Sequence, residues 1–275
     1  MSYSSEPSFI DIANLTHESY EKDMEQVLDR AFAQSVKKII ITGACPHSNQ
    51  EAIKLTERFQ AHKIELYTTL GVHPHEARQF NQQIAKDILE SSAMTQVKAI
   101  GETGLDFYRD LSPRNVQEHA FTEQLSIAAQ TGLPLFLHER EAHERFFTIL
   151  KSHRDQLGKL IVHCFTGNKK ALFRYLDMDC FIGLTGWITD ERRGQHLLPL
   201  IKEIPLHRLL IETDAPYLLP HTIQPKPATR RNEPMFLPEV FAKLKHHRSE
   251  DSTTLMQQLY SNANDFFNIP FTNEF

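Results

Sequence analysis

Short apolar runs alternate with helical segments along almost the whole chain. Eight runs rich in leucine or β-branched residues are too short to be independent helices, and each is followed by a stretch of helical periodicity. The runs are continuously apolar, which is typical of parallel strands that are covered on their outer side. They are Phe9–Ala13, Lys38–Thr42, Ile64–Gly71, Val97–Gly101, Leu133–His138, Lys159–His163, Cys180–Leu184 and Leu206–Ile211.

Eight βα units in 275 residues predict an α/β protein with a (β/α)8 TIM barrel, formed as a single domain over residues 1–275. The alternative is an open doubly wound sheet, although no Gly-x-Gly-x-x-Gly follows the first strand. Pro216–Pro234 predicts a loop over the barrel mouth. The predicted helices are Glu21–Ser35, His47–His62, Val116–Thr131, Ala142–Gln156, Lys169–Leu176, Pro234–Lys245 and Ser249–Phe267.

Charge and composition limit the possible partners. A net charge of −5 and a pI near 6.3 argue against a bulk electrostatic grip on nucleic acid. Any polyanionic substrate must therefore be held locally, by a metal ion or a few arginines. Three scattered cysteines do not suggest a disulfide scaffold, and no apolar run approaches the roughly 18 residues that span a bilayer. We expect a soluble, cytoplasmic monomer without a membrane partner.

Four of the apolar runs lead into side chains that can bind a metal ion. These are Glu102, His138, His163 and Asp214. Barrel enzymes place their catalytic groups at the carboxyl ends of the strands, so these four residues are expected to converge. Imidazoles suit zinc or manganese, and carboxylates extend the choice to magnesium. The pattern predicts a metal-dependent hydrolase with one or two divalent ions.

The residues alone leave some assignments open. A single histidine at a strand end is more often a hydrogen-bonded core group, but four candidates at strand ends favour metal binding. Glu212 has the same pleat parity as Asp214, so the spacing does not decide which of the two is the ligand.

A second group of residues could contact a substrate. His73, in Gly-Val-His-Pro-His, could donate to a phosphate or anchor its loop, and His75 is expected to be a cap or a surface residue. Arg230 and Arg231 suit phosphate recognition, or could pin the long loop through salt bridges. Of these four, His73 and Arg231 are the predicted substrate-binding residues.

Aromatic residues just beyond the strand ends are a further possibility. Phe107, Tyr108 and Trp187 could stack on bases, although such side chains more often pack loops together.

Six motifs together resemble the TatD family of metal-dependent deoxyribonucleases, in the right order between Phe9 and Phe267. The resemblance implies a TIM barrel with DNase or 3′ to 5′ exonuclease activity on single-stranded DNA, with RNA as a further candidate. It also implies a divalent cation, usually magnesium, with manganese or zinc as alternatives. The family's metal ligands fall on Glu102, His138, His163 and Asp214. The motifs are Gly-Val-His-Pro-His, Gly-Glu-Thr-Gly-Leu-Asp, Leu-His-Glu-Arg, His-Cys-Phe-Thr-Gly, Gly-Leu-Thr-Gly-Trp and Glu-Thr-Asp-Ala-Pro-Tyr-Leu.

The first strand departs from the pattern of many members, which open with His-x-His. Here the matching stretch is Ile10–Thr16, which contains no histidine and is similar to the TatD branch with Asn-Leu-Thr at this point. A fully ligated second metal is therefore not expected, although Asp11 or Asn14 could supply a weak oxygen ligand.

The expected reaction is phosphodiester hydrolysis. Glu102 and Asp214 are the predicted catalytic residues, with Asp214 both binding the metal and accepting the proton of the attacking water. His73 and Arg231 would position the phosphate. The alternatives are an amidohydrolase or lactonase that acts on a small molecule, and a non-catalytic scaffold. The missing His-x-His and the lack of an obvious bridging lysine argue against the amidohydrolase.

Overall fold

A computed structural model describes residues 8–270, and within them eight parallel strands form one sheet in chain order. The predicted TIM barrel is confirmed. Its strands are β1 (Phe9–Ala13), β2 (Val36–Ile41), β3 (Glu65–Leu70), β4 (Val97–Asp106), β5 (Leu135–Arg140), β6 (Leu160–Val162), β7 (Phe181–Leu184) and β8 (Leu209–Ile211).

Helices cover the outside of the sheet between the strands. All seven predicted helices are present with shifted ends, and the sequence missed α3 and α7. Helix α3 is amphipathic, with Ile88 buried and Ile84 and Ala85 partly buried against the core, and α7 has a single turn. The helices are α1 (Met24–Ala33), α2 (Pro46–Arg58), α3 (Gln82–Ser91), α4 (Arg114–Thr131), α5 (His143–His153), α6 (Lys169–Asp177), α7 (Leu198–Ile201), α8 (Leu237–Lys245) and α9 (Ser252–Phe266).

The barrel closes through a buried carboxylate as well as through backbone bonds. No regular ladder joins β8 to β1 among the described residues, but the Asp214 amide donates to the Ile12 carbonyl at 3.1 Å and Asn14 donates to Ala215 at 2.7 Å. The Asp11 carboxylate accepts from the Thr213 amide at 2.7 Å and from its hydroxyl at 2.6 Å. Both oxygens of Asp11 are therefore engaged in closing the barrel.

Two layers of apolar side chains make the core. One lies between the strands and the helices, and the other fills the barrel with residues such as Ile12, Ile40 and Phe136. Phe266 and Phe267 at the end of α9 belong to the inner layer, and the Phe266 ring packs 5.3 Å from that of Phe181 at the start of β7. Apolar side chains thus fill the barrel at the edge where the strands begin, and polar side chains lie at the opposite edge.

Strand β4 runs five residues beyond its predicted end at Gly101. Glycines occupy positions 101 and 104 of β4, where they weaken the strand pattern of the sequence. They have φ of +136° and +147°, and a Cβ at Gly104 would lie 1.9 Å from the His138 carbonyl oxygen. Glycine is required here because β4 and β5 approach closely. The longer strand aligns Asp106 with Arg140.

None of the helices among residues 8–270 has both the length and the apolar character needed to cross a membrane.

Adjacent phenylalanines in α5 test the packing of the outer layer. Phe146 is fully buried and stacks on Phe121 with ring centroids 5.0 Å apart, whereas Phe147 is only partly buried. We expect Phe146→Ala to lower the free energy of unfolding by about 3–5 kcal/mol, because it leaves a cavity. Phe147→Ala is the matched control and should cost less than half as much in urea denaturation. Equal losses would contradict this packing.

Candidate metal centre

Three imidazole nitrogens surround one carboxylate oxygen at the carboxyl edge of the barrel. Glu102 Oε1 lies 2.9 Å from His138 Nδ1, 2.8 Å from His163 Nε2 and 3.2 Å from His73 Nε2. His138 Nδ1 and His163 Nε2 are themselves 3.4 Å apart. The structure therefore brings together three of the four predicted ligands, and it adds His73, which was predicted to contact a substrate.

Each of these side chains is fixed by its strand or by the turn that follows it. Glu102 lies within β4, and its amide donates to the Gly43 carbonyl at 2.7 Å. His163 directly follows β6, and its amide donates to Leu137 at 3.0 Å. His73 caps a 3₁₀ turn, because its Nδ1 accepts from the His75 amide at 3.1 Å and its Nε2 is thereby turned towards Glu102.

Opposite charges stabilise one another in this buried cluster. Burial alone would raise the pKa of Glu102, but His163, His73 and His138 hold that pKa well below its ordinary range. Burial alone would lower the pKa of His163, but Glu102 and Glu212 hold it well above its usual value. Burial dominates at His73 and lowers its pKa to about 4. Glu102 is thus an anion at neutral pH, and His73 is neutral.

The two carboxylates after β8 occupy different positions. Glu212 is fully buried, and its Oε1 accepts from the Cys164 amide at 2.7 Å while lying 3.5 Å from His163 Nδ1. It therefore faces the ring nitrogen of His163 that points away from Glu102. Strand β8 ends at Ile211, so the pleat parity used in the sequence argument does not extend to these residues.

Asp214 approaches the cluster from the turn that closes the barrel. Its φ of +54° is in the left-handed region, and Asn14 Nδ2 donates to its Oδ1 at 2.8 Å. Burial raises the pKa of Asp214 to about 7, His163 opposes the shift, and the charge of Glu102 adds to it. A carboxyl group with this pKa exchanges protons near neutral pH, which suits a general base.

Sequence reasoning missed Asp106, which forms a second line of contacts behind His138. Asp106 Oδ2 lies 2.7 Å from His75 Nε2 and 3.4 Å from His138 Nε2. The expectation that His75 is a cap or surface residue was wrong, because His73 is the cap and the His75 ring packs against this carboxylate. Asp106 follows Glu102 by four residues, so a longer β4 would have placed both on one face.

The donor set fits a divalent cation. His73, Glu102 and His138 offer ligand atoms that all lie within 4.8 Å of one another. His138 Nε2, His163 Nδ1 and Glu212 Oε2 are buried without a hydrogen-bond partner among the described residues. Ring nitrogens and carboxylates that are held together in this way are the usual ligands and supporting groups of a protein metal site.

Arg231 lies away from this cluster, in the long loop after β8. Its guanidinium contacts Asp23 at 2.7 Å and Glu233 at 2.6 Å, and its Cζ lies 4.9 Å from the centroid of the Tyr20 ring. These contacts correspond to the loop-pinning alternative. The Arg230 amide donates to the Pro227 carbonyl at 3.1 Å.

Comparison with known proteins identifies the family. The model of the TatD-related DNase family matches residues 10–268. The chain belongs to this family. A 3′-5′ ssDNA/RNA exonuclease TatD of Pectobacterium carotovorum is 46% identical over 256 residues, which are 93% of this chain and 97% of the relative. The protein of the same name from Salmonella typhimurium is 43% identical over 258 residues, 94% and 98% of the two chains.

A solved TatD homologue gives the same picture of the fold. The crystal structure of a TatD homologue from Escherichia coli K12 aligns with a TM-score of 0.86 at 30% identity, over 95% of this chain and 98% of that one. The TatD-family chain and this solved homologue therefore share the same barrel over nearly the whole length of both.

Metal binding should be measurable without any substrate. We expect Mn²⁺ to raise the melting temperature of the TatD-family protein, since ligand at 100 times Kd adds about 2.7 kcal/mol to stability. Glu102→Gln should abolish most of the shift, because it removes the only charged ligand among the three groups His73, Glu102 and His138. Glu144→Gln, an exposed change on α5, is the control. An equal Mn²⁺ shift in Glu102→Gln and wild type would refute the assignment.

Proposed function

We propose that this protein is a divalent-metal-dependent nuclease that removes nucleotides from the 3′ end of single-stranded DNA, and also of RNA. The observation that carries the proposal is the convergence of three imidazoles on Glu102 Oε1, all within 3.2 Å, at the carboxyl edge of a TatD-family barrel. The names of the relatives at 43–46% identity supply the direction of digestion and the two substrates.

Glu102, His138, His163 and Asp214 would hold the metal in this proposal, as the sequence predicted, and His73 is a further candidate ligand because its Nε2 lies 3.2 Å from Glu102 Oε1. A divalent ion at such a site lowers the pKa of a bound water and neutralises charge on a phosphate oxygen. Glu212 would orient one of these side chains, because its Oε1 lies 3.5 Å from the second ring nitrogen, Nδ1, of His163. Such supporting carboxylates orient the imidazole and raise its basicity.

The donor set also bears on the choice of ion. Imidazole nitrogens suit manganese and zinc better than magnesium, whereas the family resemblance implies magnesium. We propose that Mg²⁺ is the ion used in the cytoplasm because it is abundant there, and that Mn²⁺ supports the reaction at lower concentration. The monomer is the proposed active form, since every proposed ligand comes from one chain.

Asp214 is the proposed general base. Burial raises the pKa of Asp214, and a divalent cation beside it would favour the ionised form that can take a proton from water. The hydrogen bond from Asn14 occupies Oδ1 and fixes the orientation of the carboxyl group. We assign Arg231 to holding the long loop against the segment before α1, through Asp23, in place of the phosphate contact expected from the sequence.

The activity is tested with a 5′-labelled single-stranded oligonucleotide. Purified protein with Mg²⁺ or Mn²⁺ should produce a ladder that shortens from the 3′ end, and a chelator should stop the digestion. Glu102→Ala and His163→Ala should be inactive, because each removes a ligand. Full activity in either variant would rule out the ligand assignment. Small esters assayed in parallel distinguish the amidohydrolase or lactonase alternative, which requires turnover of those compounds instead.

The roles of the two carboxylates after β8 can be separated by isosteric substitutions. Asp214→Asn should lower kcat by about 10²–10⁴ even at saturating metal, because the proton acceptor is lost. Glu212→Gln should instead weaken metal affinity by about 10–100-fold and recover most of its activity when metal is added. Titrating activity against Mn²⁺ measures both effects. The opposite pattern would exchange the two assignments.

A further inference from the structure

Aromatic rings and guanidinium groups alternate at the barrel mouth, outside the metal centre. Arg140 Cζ lies 4.0 Å from the centroid of the Tyr108 ring and 5.5 Å from that of Trp187. Arg193 Cζ lies 4.4 Å from the same Trp187 ring. We call Tyr108, Arg140, Trp187 and Arg193 the mouth clamp. Its members come from three separate segments, which follow or end β4, β5 and β7.

The mouth clamp lies just above the proposed ligands. Arg140 is the last residue of β5 and follows His138 by two positions, so both lie on the same face of the strand, about 6.5 Å apart along it. Tyr108 lies in the turn directly after β4, whose last residue, Asp106, pairs with Arg140 in the sheet, and its ring is held beside Arg140 at 4.0 Å. A strand whose 3′ end occupied the metal centre would therefore leave the barrel past these two side chains.

Arg140 is available to an anion. Among residues 8–270 its guanidinium makes ring contacts but no ion pair or hydrogen bond. The other arginine of the mouth clamp, Arg193, is neutralised, because it pairs with Asp190 at 2.7 Å. In a chain with a net charge of −5, a half-buried and unpaired guanidinium that two rings hold in place is suited to one phosphate.

Tyr108 is available to a base. Its side chain follows a strand end where loop packing would be expected to bury it, yet the residue is 55% exposed. Arg140 covers one face of the ring, and the exposure leaves room for stacking on the remainder. Stacking on an aromatic ring tolerates any base, which suits an enzyme that digests strands regardless of sequence.

We propose that the mouth clamp binds the nucleotides on the 5′ side of the scissile linkage. Arg140 contacts a phosphate of the strand, and Tyr108 stacks on a base of the same segment. The proposal rests on the proposed function, since it takes the strand to enter the metal centre with its 3′ end. It identifies where a strand longer than the reacting nucleotide is held on a protein without a bulk positive charge.

Binding can be measured separately from hydrolysis. Fluorescence anisotropy of 5′-labelled hexathymidylate in the presence of EDTA gives Kd without cleavage. Tyr108→Ala and Arg140→Ala should each raise Kd about tenfold, and each should weaken binding of the labelled dinucleotide much less. Arg140→Ala should also reduce the slope of log Kd against log salt by about 0.7, the value for one phosphate contact on a single strand, while Tyr108→Ala should not.

Matched controls come from cation and ring pairs elsewhere on the surface. Arg58, whose Cζ lies 4.9 Å from the centroid of the Phe59 ring on α2, controls for removal of one positive charge. Phe173, 39% exposed on α6 beneath Lys169, controls for removal of an exposed ring. Arg58→Ala and Phe173→Ala should bind like the wild type. Tyr108→Phe should restore affinity, because the ring remains, and melting temperatures confirm that all variants are folded.

The outcomes separate this proposal from the proposed function. If wild type digests hexathymidylate but Tyr108→Ala and Arg140→Ala bind it as tightly as wild type, the mouth clamp is overturned and the nuclease stands. If the variants lose affinity with the expected salt slopes while wild type cleaves no strand, the mouth clamp stands and the nuclease fails. If wild type neither binds nor cleaves, both are overturned.

Discussion

One buried carboxylate oxygen, Oε1 of Glu102, determines the arrangement of the metal centre. Placing an anion inside the barrel mouth costs free energy unless it is neutralised, and here His163 and His138, whose pKa values are raised, do so from two other strand ends, while the neutral imidazole of His73 lies 3.2 Å away. The same imidazoles gain from the anion, as the raised pKa of His163 indicates. Because each partner compensates the burial of the others, the cluster holds together as a unit.

Residues outside this cluster fix the orientation of its imidazoles, some by direct contact and some through a second residue. Glu212 and Asp106 face the far nitrogens of His163 and His138, at 3.5 Å and 3.4 Å. Gln117 in turn fixes Asp106, because its side chain accepts from the Asp106 amide at 2.9 Å and donates to its carbonyl. The orientation of the His163 and His138 imidazoles is therefore fixed by residues of β4, of α4 and of the segment after β8, as in metal sites generally.

Much of the fold and of the site could be predicted from the sequence, because strand runs and strand ends leave local patterns. The barrel followed from the apolar runs, and Glu102, His138 and His163 followed from their place after them. Asp106 was missed because the glycines of β4 resemble a strand break, although their backbone packs against β5. For Arg231 the sequence left phosphate binding and loop-pinning open, and the partner that favours loop-pinning, Asp23, lies about 200 residues away, where no local pattern connects the two.

The closure of the barrel by Asp11 has a consequence for the order in which function can arise during synthesis. Asp11 belongs to the first strand, and its partner Thr213 lies more than 200 residues later, directly before Asp214. The proposed base and the seam of the barrel are thus completed by the same segment. A nascent or truncated chain that ends before this segment contains His73, His138 and His163 but lacks the proposed base, Asp214. The proposed active site can therefore be complete only after this last segment of the barrel has been synthesised.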